Sequence, residues 1–193
     1  MKKLSIALLL IAVVGTAAIV SCETKTKTDT TNDDKFTPEE VKKGEYLVSI
    51  MGCDDCHSPK LMGPNGPELD PARRLSGRRS DIPTPKADTA VLKSWMLFAH
   101  DLTAAAGQWG ISFSANLTSD ESGIGNWSFN QFKKAIREGK LKGMDNTRPL
   151  LPPMPWTQYR NLTDEDLKSI FAFLKSTKPV FNVVPSPIPP TQL

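Results

Sequence analysis

The residues best suited to chemistry lie together in the segment 53–57, CDDCH. Cys53 and Cys56 are separated by two residues, and His57 follows the second thiol directly. This spacing is the attachment signature of a c-type haem. Each thiol can bind one vinyl group of the same porphyrin edge, and the chain between them turns so that the imidazole becomes an axial ligand of the iron. The segment therefore predicts one covalently bound haem c.

Two other kinds of site share part of this pattern. A thioredoxin-like redox pair also has the CxxC spacing, but it needs no following histidine and lies near a βαβ pattern, which we do not find. A zinc site needs about four ligands, usually in two pairs. The chain has 3 cysteines and 2 histidines, and they do not form a second pair. Haem attachment is the favoured interpretation.

The group at the second axial position of the iron decides the function. An open position permits oxygen chemistry, whereas a methionine thioether fills the position, favours Fe(II) and raises the reduction potential, which suits electron transfer. The methionines far enough from His57 in sequence are Met96, Met144 and Met154. We favour Met154, because the prolines on both sides restrict its backbone. Met144 is the second choice, and a plain packing role for Met154 is the alternative. His100 is not counted among the candidate ligands, because a lone histidine is more often structural or exposed.

The first 21 residues have the pattern of an export signal. Two lysines precede a long apolar run, which ends at Ser21 and Cys22 in a sequence that resembles the bacterial lipobox. We expect Cys22 to be lipidated, and the alternative is an ordinary signal peptide with an incidental cysteine. Residues 23–35 are polar and low in complexity, which predicts a disordered tether at 22–36. The protein is thus expected outside the cytoplasm, anchored by lipid to the bacterial membrane and facing the periplasm or cell surface.

Composition limits the remaining possibilities. A chain of 193 residues has room for one ordinary domain besides the signal and tether, and its hydrophobic fraction of 39% is enough for one core. The net charge of +3 is small, and no dense basic stripe is interleaved with aromatic residues. We therefore expect no nucleic-acid partner. The folded domain is expected at 37–181, followed by a proline-rich tail at 182–193.

Hydroxyl side chains suited to N-caps precede three predicted helices, and they are Thr37, Ser128 and Thr163. The last helix has apolar residues at helical spacing, which predicts a packed face. A glycine within a helix costs about 1 kcal/mol relative to alanine. Gly44 therefore predicts a close crossing between the first helix and the terminal one, near Ile170 or Phe171.

Residues 58–115 are the least regular part. Repeated prolines and glycines exclude long regular elements before about residue 87. A short helix is expected within 90–99 and extended chain within 112–117. Four arginines, Arg73, Arg74, Arg78 and Arg79, are candidates to meet haem propionates or an acidic partner, although a solvated basic loop is the simpler interpretation.

The order of these elements, from a first helix through CxxCH, a long loop, a second helix and a methionine loop to a terminal helix, resembles the class I cytochrome c fold. Several motifs resemble those of exported bacterial cytochromes c related to the cytochrome subunits of membrane dehydrogenases. They are GEYL at 44–47, NLT at 116–118, GIGNW at 123–127, PPMPW at 152–156 and LTDEDL at 162–167. The resemblance covers about residues 40 to 190.

This resemblance implies a mostly α-helical class I cytochrome c fold with a long loop insertion between the haem motif and the methionine loop, and Met154 as the sixth ligand. It also implies a carrier of single electrons rather than an enzyme, with redox partner proteins such as a dehydrogenase or a respiratory complex. Many members of that family carry two or three haem motifs, whereas this chain has one, at 53–57, so we expect a monohaem protein. The alternatives are a haem enzyme or sensor with an open sixth position, and a fixed electron-transfer subunit of a dehydrogenase complex.

Overall fold

The computed structural model describes residues 35–193. The predicted signal, Cys22 and most of the predicted tether lie outside these residues. The described helices are α1 Pro38–Ile50, α2 Cys53–His57, α3 Phe129–Glu138, α4 Trp156–Tyr159 and α5 Asp164–Ser176. The described strands are β1 Lys60–Gly63, β2 Gly66–Leu69, β3 Leu97–Phe98, β4 Ala104–Gly107 and β5 Gly110–Phe113. Among residues 35–193, no helix has the length and apolar character needed to cross a membrane.

The predicted N-caps are confirmed at all three helices. Thr37 forms a full capping box with Glu40 at the start of α1, which satisfies two backbone N–H groups reciprocally. Ser128 accepts a hydrogen bond from the backbone of the third residue of α3, and Thr163 does the same at α5. These local signals fix where the three longest helices begin.

The main core lies between α1, α3 and α5. Phe171 of α5 is completely buried and contacts the rings of three other phenylalanines, with centroids 5.2 to 5.9 Å away, at Phe36, Phe129 and Phe132. The predicted crossing of α1 and α5 at Gly44 is confirmed, because Gly44 lies against the backbone of Ser169 and the Cβ of Phe173. These two contacts flank the predicted positions, Ile170 and Phe171.

The segment between α2 and α3 contains two small antiparallel sheets. β1 and β2 form a hairpin, and β3, β4 and β5 form a sheet in that order. The prediction of a short helix within 90–99 is wrong. Only a 3-10 turn forms there, at Val91–Lys93, and the strand β3 that follows it pairs with β4. Extended chain near residue 112 is confirmed by β5. The described fold is therefore helical with a β-structured segment, and whether that segment is an insertion stays a prediction.

The chain after α5 packs against this β-structured segment. The side chain of Asn182 donates to the carbonyls of Ser76 and Arg78 at 2.7 and 2.9 Å. Ile188 exchanges two backbone hydrogen bonds with Ile111 of β5, at 2.8 and 2.9 Å. The last residues thus hold the β5 edge of the sheet.

Candidate functional site

The short helix α2 carries three of the predicted site residues. Gly52, immediately before it, adopts a left-handed conformation with φ 71° and ψ 25°, which a glycine does without steric cost. The chain therefore turns sharply out of α1. Cys53, Cys56 and His57 then follow within one five-residue helix.

The two thiols of α2 are free and half-buried. Burial raises the pKa of Cys53 to about 11 and also raises the pKa of Cys56. A thioredoxin-like nucleophile needs the opposite shift, because its reactive form is the thiolate. The raised pKa values of both thiols therefore argue against the redox-pair alternative. Among residues 35–193, no three His, Cys, Asp or Glu side chains form a group that could hold a metal ion.

The ring of His57 is fixed by one hydrogen bond. Its Nδ1 lies 2.8 Å from the carbonyl oxygen of Ala115. A carbonyl can only accept, so Nδ1 carries the proton and donates it, which leaves the lone pair of Nε2 free. Burial lowers the pKa of His57, so the ring is neutral, as a metal-binding imidazole must be.

The segment that carries Ala115 is itself bonded to the chain around residue 77. The amide of Gly77 donates to the carbonyl of His57 at 2.7 Å, and the amide of Arg78 donates to the carbonyl of Ser114 at 2.9 Å. The helix bearing His57 and the residues bearing its hydrogen-bond acceptor are thereby joined through one intervening segment. This arrangement restrains the direction of the imidazole.

A polar network around the buried residues Asp54 and Ser58 also supports this helix. Arg74 forms a bidentate contact with Asp54, with Nη2 at 2.8 Å and Nε at 3.1 Å from the carboxylate oxygens. Ser58 donates to Asp54 at 2.6 Å and accepts from the amide of Leu75 at 2.8 Å. Burial opposes ionisation of Asp54, but the bonds from Arg74 and Ser58 outweigh it and lower its pKa. Sequence reasoning missed this network, because its partners lie up to 20 positions apart.

The four arginines that were candidates for haem propionates or an acidic partner all pair with carboxylates of this chain. The pairs are Arg73–Asp70, Arg74–Asp54, Arg78–Asp101 and Arg79–Asp81. The side chain of Arg78 is only 3% exposed, so the interpretation as a solvated loop is wrong for this residue.

Lys60 is a further cation beside the candidate site, and no motif indicated its role. Its Nζ donates to the carbonyls of Asp54 at 3.1 Å, Asp55 at 2.5 Å and Ser58 at 2.7 Å. Two of these acceptors are the residues between the two thiols. A cation at the C-terminal end of a helix is favourable, so Lys60 stabilises α2.

Met154 lies half-buried in the loop between α3 and α4. The loop is attached at its beginning by the amide of Leu150, which donates to the carbonyl of Gly139 at 2.6 Å. After it, the hydroxyl of Tyr159 donates to the carbonyl of Met51 at 2.8 Å, directly before the turn into α2. The loop carrying Met154 is therefore linked to the helix that carries the thiols.

The other methionine candidates are more exposed. Met144 is 53% exposed and Met96 is 43% exposed. Met144 follows the 3-10 turn at Leu141–Gly143. Half-burial distinguishes Met154 from both and agrees with the choice made from the flanking prolines, while iron ligation by any of them stays a prediction.

Comparison with known proteins decides the family. The chain is 40% identical over 156 residues to the fructose dehydrogenase cytochrome subunit of Gluconobacter japonicus, which covers 79% of this chain and 24% of that protein. It is 31% identical over 150 residues to the gluconate 2-dehydrogenase cytochrome c subunit of Pantoea cypripedii, covering 77% and 26%. The chain is a homologue of dehydrogenase cytochrome c subunits. The resemblance seen in the sequence motifs is confirmed.

A third relative extends the comparison. The chain is 28% identical over 142 residues to the cytochrome c subunit of the quinone alcohol dehydrogenase of Gluconobacter oxydans, which covers 72% of this chain and 22% of that protein. The chain thus spans about a quarter of the length of these three relatives. No family model matches the sequence.

The side chains of this homologue fit a c-type haem. Two free thiols and a neutral imidazole occupy one five-residue helix. The imidazole presents an unprotonated Nε2, because Nδ1 is committed to Ala115. These are the donors that covalent attachment and axial ligation require.

Proposed function

We propose that this protein is a monohaem c-type cytochrome that accepts and passes on single electrons. The observation that carries the proposal is the hydrogen bond from His57 to the carbonyl of Ala115. His57 lies on the same short helix as the two free thiols. Cys53 and Cys56 would hold the haem through thioether bonds, and His57 and Met154 would bind its iron. Bound haem supplies a one-electron couple at its iron.

The polypeptide contributes orientation and a fixed electrostatic environment. The bond to Ala115 keeps the His57 ring in one tautomer and one direction, as the outer partners of metal-binding histidines do. The pair of Asp54 and Arg74 holds the first turn of α2 against the chain around residue 75. A thioether from Met154 would fill the sixth position, so the iron would not be open to substrates. This favours an electron carrier over a haem enzyme or sensor.

The proposed partners are redox proteins, and a dehydrogenase is the favoured electron donor. The names of two relatives describe cytochrome subunits of fructose and gluconate 2-dehydrogenases, which supports a place beside a dehydrogenase, either as a mobile carrier or as a fixed subunit. Co-purification distinguishes these two arrangements. A stable stoichiometric complex with a dehydrogenase supports the fixed subunit, and an unbound cytochrome that a dehydrogenase reduces supports the carrier.

The ligand assignment is tested by the weak long-wavelength absorption band that reports methionine bonding to oxidised haem iron. Met154→Ala should remove this band, lower the reduction potential and leave the covalent haem in place. Met144→Ala is the matched control, because Met144 is an exposed methionine of the same inter-helix segment, and it should preserve the band. The opposite pattern would identify Met144 as the ligand. A wild-type spectrum without the band would favour an enzyme or sensor with an open sixth position.

We further propose export and lipid anchoring through Cys22. The support is the apolar segment that ends at Ser21-Cys22, followed by a polar stretch. Cys22→Ala should move the protein from the membrane fraction to the soluble fraction without changing its haem spectrum. An intact mass with an unmodified mature N-terminus would contradict lipidation and leave the haem assignment untouched.

A further inference from the structure

The three-stranded sheet contacts the methionine loop through one buried hydroxyl. Ser112 of β5 is 8% exposed, and its Oγ donates to the carbonyl of Pro152 at 2.6 Å. Pro152 lies two residues before Met154. The hydrogen bond therefore joins the edge strand β5 to the part of the loop that leads into the proposed ligand.

Trp109 determines which way this hydroxyl points. Its indole Nε1 lies 3.1 Å from the Oγ of Ser112. An indole N–H can only donate, and a serine hydroxyl has a single proton. Ser112 therefore accepts from Trp109 and gives its proton to one carbonyl. The carbonyl of Pro152 at 2.6 Å is a closer acceptor than that of Ala105 at 3.3 Å. Trp109 therefore donates to Ser112, and Ser112 donates to Pro152.

The same extended segment also contacts the other proposed axial ligand. Ala115, three residues after Ser112, accepts the hydrogen bond from His57. The residues 112–115 therefore touch the methionine loop at one end and the imidazole at the other. Because the stretch is only four residues long, it limits how far apart the loop and the imidazole can lie.

We propose that Ser112, oriented by Trp109, is a positioning residue for the thioether of Met154. This inference rests on the proposed function, because it takes Met154 as the sixth ligand. The loop is also held by Leu150 at its beginning and by Tyr159 after it. The Ser112 bond lies between these two attachments and closest to the sulfur-bearing residue. Its loss would let the loop move away from the iron without unfolding the domain.

The experiment compares Ser112→Ala with Ser112→Thr, which keeps a hydroxyl, and with Ser94→Ala, which alters an exposed serine of the same β-structured segment. The measurements are the methionine–iron band of the oxidised protein, the affinity for added imidazole and the thermal midpoint. Ser112→Ala should weaken the band and tighten imidazole binding roughly three- to tenfold, the equivalent of one hydrogen bond. Ser112→Thr should restore most of the band, and Ser94→Ala should match the wild type.

Trp109→Phe gives an independent variant that keeps an aromatic ring and removes the N–H donor. It should change the band and the imidazole affinity in the same direction as Ser112→Ala, by a smaller factor. A wild-type band and wild-type imidazole affinity in Ser112→Ala would overturn the positioning role while leaving Met154 as the ligand. A wild-type protein without the band, or a Met154→Ala variant that keeps it, would overturn both proposals together.

Discussion

The Nδ1 of His57 donates a 2.8 Å hydrogen bond to the carbonyl of Ala115, a residue 58 positions further along the chain. This contact brings the CxxCH helix and the end of the β-structured segment together. It also determines the chemistry of the imidazole, since the nitrogen that is left free has no proton. The sheet is therefore part of the proposed haem site.

Gly44 is predicted to be required for the crossing of α1 and α5. A Cβ at this position would meet the carbonyl carbon of Ser169 at 2.6 Å and the Cβ of Phe173 at 2.8 Å. The Ser169 carbonyl carbon belongs to the backbone of α5, so it cannot move aside without displacing the helix. Gly44→Ala should therefore lower the free energy of unfolding by about 1–3 kcal/mol, measured by urea denaturation.

The control for this prediction is Lys42→Ala, at an exposed position of the same helix. It should stay within about 0.5 kcal/mol of the wild type. Equal stability of Gly44→Ala and the wild type would mean that the two helices can separate at no cost, contrary to the packing described.

The helices were predictable because their signals are local. The capping residues lie within three positions of the backbone groups they satisfy, and the apolar stripe of α5 has helical spacing within one segment. The CxxCH motif is equally local. Gly44 was informative for a related reason, since a glycine inside a helix indicates close packing even when its partner is unknown.

The sheets were not predictable, and neither were the polar contacts that support α2 and the methionine loop, because both depend on pairings between distant residues. β3 consists of two residues and exists only through its register with β4. Ser112 and Pro152 are 40 positions apart, and no local pattern indicated that they would form a pair. The continuous apolar residues near 95–98 have no periodicity that distinguishes a short helix from a strand.

A pH dependence is expected from the ion pair between α1 and α5. Lys43 Nζ lies 2.8 Å from Asp166 Oδ1, and the hydrogen bonds from Lys43 and then Thr163 hold the pKa of Asp166 below its usual value. A depressed folded-state pKa stabilises the protein above the unfolded pKa, and this stabilisation is lost as the pH falls through the folded value. Asp166→Asn should therefore cost up to about 1 kcal/mol at neutral pH.

The measurement is the urea midpoint of wild type and Asp166→Asn from neutral pH downward. The difference between them should shrink as the pH falls below about 3.9, the ordinary pKa of an aspartate. Glu39→Gln serves as the control, because Glu39 forms no ion pair within the described residues. A difference that is constant with pH would assign the effect of Asp166 to helix capping alone.

Lys60 is predicted to raise the reduction potential. Its ammonium is bound by three backbone carbonyls of the thiol-bearing helix and its flank rather than by a carboxylate. A fixed positive charge there disfavours the more positive, oxidised iron. Lys60→Met should lower the potential by an amount on the order of 1 kcal/mol, or roughly 40 mV for one electron, measured by spectroelectrochemistry.

Lys93→Met is the comparison for Lys60, because it removes an exposed lysine of the β-structured segment and should leave the potential nearly unchanged. Lys60→Arg, which keeps the charge, should restore most of the wild-type potential. A potential that rises in Lys60→Met, or that falls equally in Lys93→Met, would rule out this electrostatic role.

Covalent haem attachment at Cys53 and Cys56 is the central claim, and the intact mass of the purified protein after acid–acetone extraction tests it most directly. We predict that the haem stays with the polypeptide and that the mass exceeds that of the processed chain by one haem. Changing both thiols to serine should remove the bound haem. Complete extraction of the haem from the wild type, leaving the bare polypeptide mass, would contradict covalent attachment.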